Sequence, residues 1–332
     1  MKYSRFIYQT SILYGYSLTF TGVTPDTGPS IGGVDFTCAG LGFDYQAFND
    51  TFTGVALDLA KWTDISTGTG TVTTGASNLQ LSTGATGSSV AGISMNATFY
   101  ETQYEAKVNI PSVTVYPTSE VSLFTMQYYI DPSNYGDMSV LLATDGSVTL
   151  ECEVYKGAGL VSSYTEDWTM GLSTFKILVW MGNLYFYANG SLFFRSQHFV
   201  NGSLGYYKFF ADNKSASYNV YNTVVEYIVN RPFVVFGDIQ VVPDVTLVSD
   251  TRLRGLTPPS IDIYETEAAY AGLVDVNVCV DNVQTGADAY EYYYLKKLVI
   301  LQENQFDILL SDITEDTVRT PELVTRGLGG GK

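Results

Sequence analysis

Apolar and polar residues alternate along this chain at a period of two, the spacing of strands with one buried face. Val34, Phe36 and Cys38 alternate with Asp35 and Thr37, and Val148, Leu150, Cys152 and Val154 form the inward face of another such run. Val274, Val276, Val278 and Val280 repeat the pattern. The same reading predicts strands at 70–74, 78–82, 89–95, 102–110, 120–130, 175–181, 184–188, 191–195, 202–210, 220–229, 234–236, 245–248, 252–256 and 290–295. Turn residues separate them. Asp145-Gly146 reads as a two-residue hairpin turn between 139–144 and 147–156, and Asn189-Gly190 as another. Residues 131–136 and 282–288 read as turns, and helical spacing occurs only in short stretches near 56–62 and 265–270. Many short antiparallel strands without intervening helices imply β-sandwiches, so the expected class is all-β.

Two distant pieces read as one small domain. Residues 17–44 open with Pro25, Gly28, Pro29, Gly32 and Gly33, then a strand ending Gly40-Leu41-Gly42-Phe43. Residues 233–295 continue with Val235-Phe236-Gly237, Thr257-Pro258, a Val-x-Val strand and a closing aromatic strand. In this order the motifs resemble an IPT/TIG immunoglobulin-like domain. No compact domain carries a structureless loop as long as the stretch between the pieces, so that stretch is expected to be an inserted domain. The expected organisation is an arm at 1–16, a split Ig-like domain at 17–47 plus 231–295, an insert at 48–230, and strands and a tail at 296–332.

The insert opens with Phe48, Asp50 and Phe52, then Leu57-Asp58 and Trp62. It continues with a turn at Asp131, Asn134 and Tyr135, the run 184–195, and Gly205-Tyr206-Tyr207-Lys208-Phe209. Together these resemble the concanavalin A-like lectin/glucanase jelly roll of LamG type. The expected fold is therefore an Ig-like β-sandwich with an inserted jelly-roll β-sandwich.

Composition narrows the function classes. The 332 residues can fill two cores, and 26 Tyr, 18 Phe and 31 Gly suit strands and turns. A net charge of −17 argues against a nucleic-acid partner, and solubility accounts for it. Residues 1–18 hold no continuous apolar stretch of signal-peptide type, and no apolar run reaches membrane-spanning length. Entry by assembly into a particle inside a cell is the expected route. Cys38, Cys152 and Cys279 are three and widely spaced, which implies neither a disulfide framework nor a zinc site. Strand phase points Cys38 inward and Cys279 outward, so all are expected to remain thiols.

Candidate chemistry is sparse. The glucanases that the jelly roll resembles carry Glu-x-Asp-x-x-Glu on one strand, and the insert lacks that array. Glu151 and Glu153 are read as facing opposite sides of their strand, and Asp262, Glu265 and Glu267 as a solvated loop. His198, the only histidine, has no nucleophile motif around it and reads as structural. Asp131, Asn134 and Asp137 are the one calcium candidate, with ordinary turn chemistry as the alternative. The pairs Tyr128-Tyr129 and Tyr206-Tyr207 and the run Tyr292 to Tyr294 either stack on sugars or fill sandwich faces. The sequons at Asn96, Asn189 and Asn201 occur at the frequency chance allows.

The resulting expectation is a non-enzymatic structural or decoration protein of a bacteriophage virion, capsid fibre or tail-associated, without a catalytic site or cofactor. The Ig-like part and terminal arms would attach it to other virion proteins, as a homo-oligomer or particle-bound. The insert would face outward for adhesion to host-surface glycans at the virion surface, with no membrane insertion. This last step rests on resemblance of fold. Two alternatives stay open: a cellular or extracellular surface adhesin, and a glycoside hydrolase with an unrecognised site.

Overall fold

The computed structural model describes residues 18–44, 48–197, 199–200, 202–214, 219–237, 240–260, 272–280, 283–295 and 312–313. The described residues contain strands and no helix. They form an Ig-like sandwich and an inserted jelly-roll sandwich. One compact unit takes the described parts of Met1–Tyr45, Pro232–Cys279 and Val283–Lys332, and the other takes Gln46–Arg231 with Val280–Asn282.

The first three strands are β1 (Thr19–Thr24), β2 (Thr27–Pro29) and β3 (Asp35–Leu41). The insert then supplies β4 (Trp62–Asp64), β5 (Thr71–Gly75), β6 (Asn78–Ser82), β7 (Val90–Met95), β8 (Thr102–Ile110), β9 (Val121–Asp131) and β10 (Asn134–Leu142). It continues with β11 (Val148–Lys156), β12 (Gly159–Asp167), β13 (Gly171–Trp180), β14 (Asn183–Ala188), β15 (Ser191–Ser196), β16 (Tyr206–Asp212) and β17 (Asn222–Asn230). The Ig-like unit resumes with β18 (Phe233–Phe236), β19 (Gln240–Val242), β20 (Thr246–Ser249), β21 (Arg252–Leu256), β22 (Gly272–Cys279), β23 (Val283–Leu295) and β24 (Asp312–Ile313).

The Ig-like unit packs the sheet β1-β3-β21-β20 on the sheet β19-β18-β22-β23-β2. Phe36 of the first meets Phe236 of the second edge to face at 5.1 Å, and Phe236 meets Tyr290 at 5.0 Å. The Gly-Gly turn and the Thr-Pro motif lock together, though 223 residues separate Val34 from Thr257. Val34 N donates to Thr257 Oγ1 at 3.0 Å, Thr257 N to Val34 O at 2.8 Å, and Gly33 N to Thr257 O at 2.8 Å. Gly32 sits at φ +71° with the Pro258 backbone 2.5 Å from where a Cβ would stand, so no other residue fits.

The insert packs the sheet β12-β11-β10-β9-β16-β7-β4 on the sheet β15-β14-β13-β8-β17-β6-β5. Its core draws on both, with Ile93, Phe124, Met126, Leu150 and Cys152 from the first and Tyr104, Phe175, Ile177, Phe186 and Val225 from the second. The opening aromatic motif closes this sandwich. Asp50 exchanges backbone bonds with Ile228 at 2.8 and 2.9 Å, accepts Trp62 Nε1 at 2.8 Å, and accepts Phe52 N at 2.7 Å.

Several expectations are corrected. The hairpin between β10 and β11 closes with Ala143 N donating to Ser147 O, which leaves a three-residue loop with Gly146 at φ +88° rather than a two-residue turn. Residues 283–288, expected as a turn, belong to β23, where Gly286 lets the Phe20 ring approach its backbone. Strand β12 is absent from the expected set because it is an edge strand exposed on both faces, so no apolar alternation marks it. Residues 56–62 hold no helix, and the stretch 265–270 lies outside the described residues. Cys279, expected to face outward, is 0% exposed like Cys38 and Cys152, because the second half of β22 is covered on both faces. None of the three cysteines forms a disulfide.

Candidate functional site

Strand β11 buries Val148, Leu150, Cys152 and Val154, which leaves Thr149, Glu151, Glu153 and Tyr155 on the other face. Register across the sheet turns that face into three parallel rows. The middle row runs Ser163, Glu153, Asp137, Gln127, Lys208, Ser94 across β12, β11, β10, β9, β16 and β7. On one side lie Tyr155, Tyr135, Tyr129 and Tyr206. On the other lie Thr165, Glu151, Ser139, Thr125 and Phe210.

This face is polar yet enclosed at its centre. Gln127 is 8% exposed, Thr125 2% and Ser122 3%, although all three point away from the core. Buried hydroxyls need partners, and here they find each other. Ser122 Oγ and Thr125 Oγ1 lie 2.7 Å apart, Thr125 Oγ1 and Ser139 Oγ 2.8 Å, and Thr165 Oγ1 donates to Glu151 Oε1 at 3.3 Å. The tyrosines form a column. Tyr155 and Tyr135 stack at 4.6 Å and 22°, Tyr135 and Tyr129 at 6.4 Å and 23°, and Tyr206 tilts against Tyr129 at 5.4 Å. Stacked rings cover each other's faces, so the column is a wall along the acidic row.

Charge sets the character of the middle row. Asp137 is half-buried and its carboxyl is pushed up to about 7, first by burial and then by Glu153 and Glu151, while a hydrogen bond from Gln127 and the charge of Lys214 pull it down. Burial and Glu153 also raise Glu151 above the usual carboxylate range. Tyr155 donates to Glu153 Oε2 at 3.2 Å, and burial followed by that carboxylate pushes the phenol up to about 12. Lys208 places Nζ 3.1 Å from the Tyr129 ring centroid, and burial lowers its ammonium below the usual range. Near neutral pH the face therefore carries a half-protonated carboxylic acid beside two further carboxyls.

The expected opposite facing of Glu151 and Glu153 is corrected here. They stand two residues apart, and strand alternation puts such residues on one face. The calcium candidates do not converge. Asp131 accepts Asn134 Nδ2 at 3.0 and 2.9 Å and Ser133 N at 2.8 Å, and these bonds hold its carboxyl below the usual range. Asn134 Oδ1 accepts Gly157 N at 3.1 Å, and Asp137 lies further along β10 beside Glu153. Among the described residues no group of three or more His, Cys, Asp and Glu is arranged to hold a metal.

The tyrosine pairs split by alternation. Tyr128 and Tyr207 are core residues, donating to Phe99 O at 2.7 Å and Ile177 O at 3.0 Å, while Tyr129 and Tyr206 join the outer column. Tyr292 is buried in the Ig-like unit, where it donates to Pro258 O at 2.9 Å. The side chains of Tyr293 and Tyr294 lie outside the described set, as do His198, Asn201, Asp262, Glu265 and Glu267. Asn96 and Asn189 are exposed turn residues, accepting Thr63 Oγ1 at 2.6 Å and Thr174 N at 2.9 Å. Sequence reasoning missed the pairing of Asp137 with Glu153. The available signal was an outward Glu-x-Glu on β11 opposite an outward Asp on β10.

No protein-family model matches the chain, and no curated protein matches it. Solved structures with similar coordinates include a laminarinase from Flavobacterium sp. UMI-01, with 11% identity, a TM-score of 0.44, and coverage of 56% of this chain and 99% of that one. Porphyranase B from Zobellia galactanivorans has 8% identity and a TM-score of 0.40, covering 55% and 90%. The catalytic domain of an endo-1,3-beta-glucanase from Thermotoga petrophila RKU-1 has 9% identity and a TM-score of 0.43, covering 56% and 96%. These are glycoside hydrolases, and the expectation of a non-enzymatic chain is withdrawn against them. One ground of that expectation, two glutamates on opposite faces, has also failed.

Proposed function

We propose that the insert binds a glycan across the outer face of β9, β10, β11 and β16 and cleaves a glycosidic bond there. The observation that carries this reading is the cross-strand pair of Asp137 and Glu153, both half-buried on one face of the sheet. Asp137, which keeps a proton up to about pH 7, is the general acid for the leaving oxygen. Glu153, oriented by the Tyr155 phenol, is the second carboxyl. Side chains directly opposite in an antiparallel pair have Cβ atoms about 5 Å apart. Both carboxyls therefore reach one glycosidic bond, and the first-formed anomer reads whether Glu153 attacks the sugar, keeping the configuration, or activates a water, inverting it.

On a virion surface, the location expected from the sequence, such a face would meet host glycans and cut into them. The test is a panel of soluble polysaccharides assayed for new reducing ends, with proton NMR of the first-formed anomer. Release by the intact chain, and loss in both Asp137→Asn and Glu153→Gln, supports the proposal. Release that is equal in wild type and both variants, or none across the panel, removes it.

A further inference from the structure

Lys208 shares the middle row with Asp137, and only Gln127 stands between them. Two strand spacings, about 10 Å of backbone, are within reach of a lysine side chain, which could pair with the half-buried acid and hold it ionised. Here the ammonium instead lies over the ring of Tyr129, 3.1 Å from its centroid, and 5.6 Å from that of Tyr206. An aromatic face is a competitor for that half-buried ammonium. Gln127 turns its side chain to Asp137 and fills the gap with a neutral amide.

We propose that Tyr129 is a positioning residue: its ring captures the Lys208 ammonium and, with Gln127 as a neutral spacer, keeps it from neutralising Asp137. The proposal rests on the reading of Asp137 as a proton donor, which needs an acid that still holds its proton near neutrality. The remaining charged and titratable groups around Asp137 do not supply a competing cation at close range. Strand β11 presents Glu151, Glu153 and Tyr155, and β10 itself presents Tyr135. Lys214 lies beyond, tied to Glu120 at 2.9 Å. With Lys214 held by Glu120, capture of Lys208 keeps a second cation from adding to the pull on Asp137.

The experiment follows the Asp137 carboxyl by carbon-13 NMR across pH in the full chain with no glycan present. Tyr129→Leu frees the ammonium, and the Asp137 midpoint falls by about one pH unit. Tyr129→Phe keeps the ring face and leaves the midpoint unchanged. Adding Lys208→Met to Tyr129→Leu returns the midpoint to the wild-type position. A merely structural tyrosine gives a different result, in which Lys208→Met does not rescue. An unmoved midpoint in Tyr129→Leu, or a shift that survives Lys208→Met, overturns the inference. Because no substrate is used, the titration stands or falls separately from glycan cleavage. If the midpoint moves as stated while no polysaccharide is cut, the hydrolytic reading fails and the capture of Lys208 remains.

Discussion

Asp137 couples the chemistry of the site to the stability of the insert. The carboxyl titrates near 3.8 in an unfolded chain and is pushed up to about 7 in the fold. Between those values the native state holds a proton that the unfolded state has released. This carboxyl's contribution to stability is therefore full below about pH 4 and is lost as pH rises through about 7. The rise sets a ceiling of about 4 kcal/mol on the loss. Asp137→Asn should flatten this dependence in thermal melts between pH 4 and 8 and raise the melting temperature at pH 8. The same variant should lower any glycan cleavage by ~100-fold or more. A gain in stability with a loss of activity is the signature of a residue strained for function. The cysteines give a second check at this scale. All three are fully buried, and burial pushes the Cys38 thiol up to about 12, so thiol reagents should label none before denaturation. Labelling of the native chain at pH 8 would contradict that burial.

At the scale of elements, a few residues join strands that the chain order keeps far apart. Asp50 ties the entry of the insert to β17 and to Trp62. Asp50→Ala leaves the Trp62 and Phe52 donors without their acceptor, which should cost about 2–4 kcal/mol in denaturant melts of the insert. Gly32 does the same for the Ig-like unit. Gly32→Ala meets the Pro258 backbone and an unfavourable φ together, and should destabilise that unit by about 2 kcal/mol or more while sparing the insert. A melt in which Gly32→Ala shifts only the insert's transition would refute this assignment. Strand β12 shows where periodicity loses its force. Sitting at the sheet edge, it has no face to bury, so its sequence carries no alternation to read. The reverse holds for β9, where Ser122, Thr125 and Gln127 are buried although polar, because the outer face of the sheet is itself enclosed.

At the scale of the molecule, residues 46–231 form a compact unit with their own core and their own two sheets. Expressed alone, this segment should fold, keep the Asp137 titration near 7, and show a cooperative melt. A segment that stays unfolded, as seen by circular dichroism, would show that the unit is not self-sufficient. Alternation, turn chemistry and the order of motifs determine a great deal without coordinates. The all-β class, most strand positions in the insert and the inward face of β11 follow from a period of two, because burial of one face imposes it. The Gly-Gly motif marks a turn in the first piece, because so few other residues tolerate its positive φ. Strand alternation by itself requires Glu151 and Glu153 on one side of β11, against the opposite facing expected of them. It could not say what stood opposite them. Asp137, Gln127 and Lys208 come from three other strands, and only pairing register brings them into one row. Enclosure of that row, which raises the Asp137 carboxyl, depends on side chains far apart in number and so belongs to the tertiary structure alone.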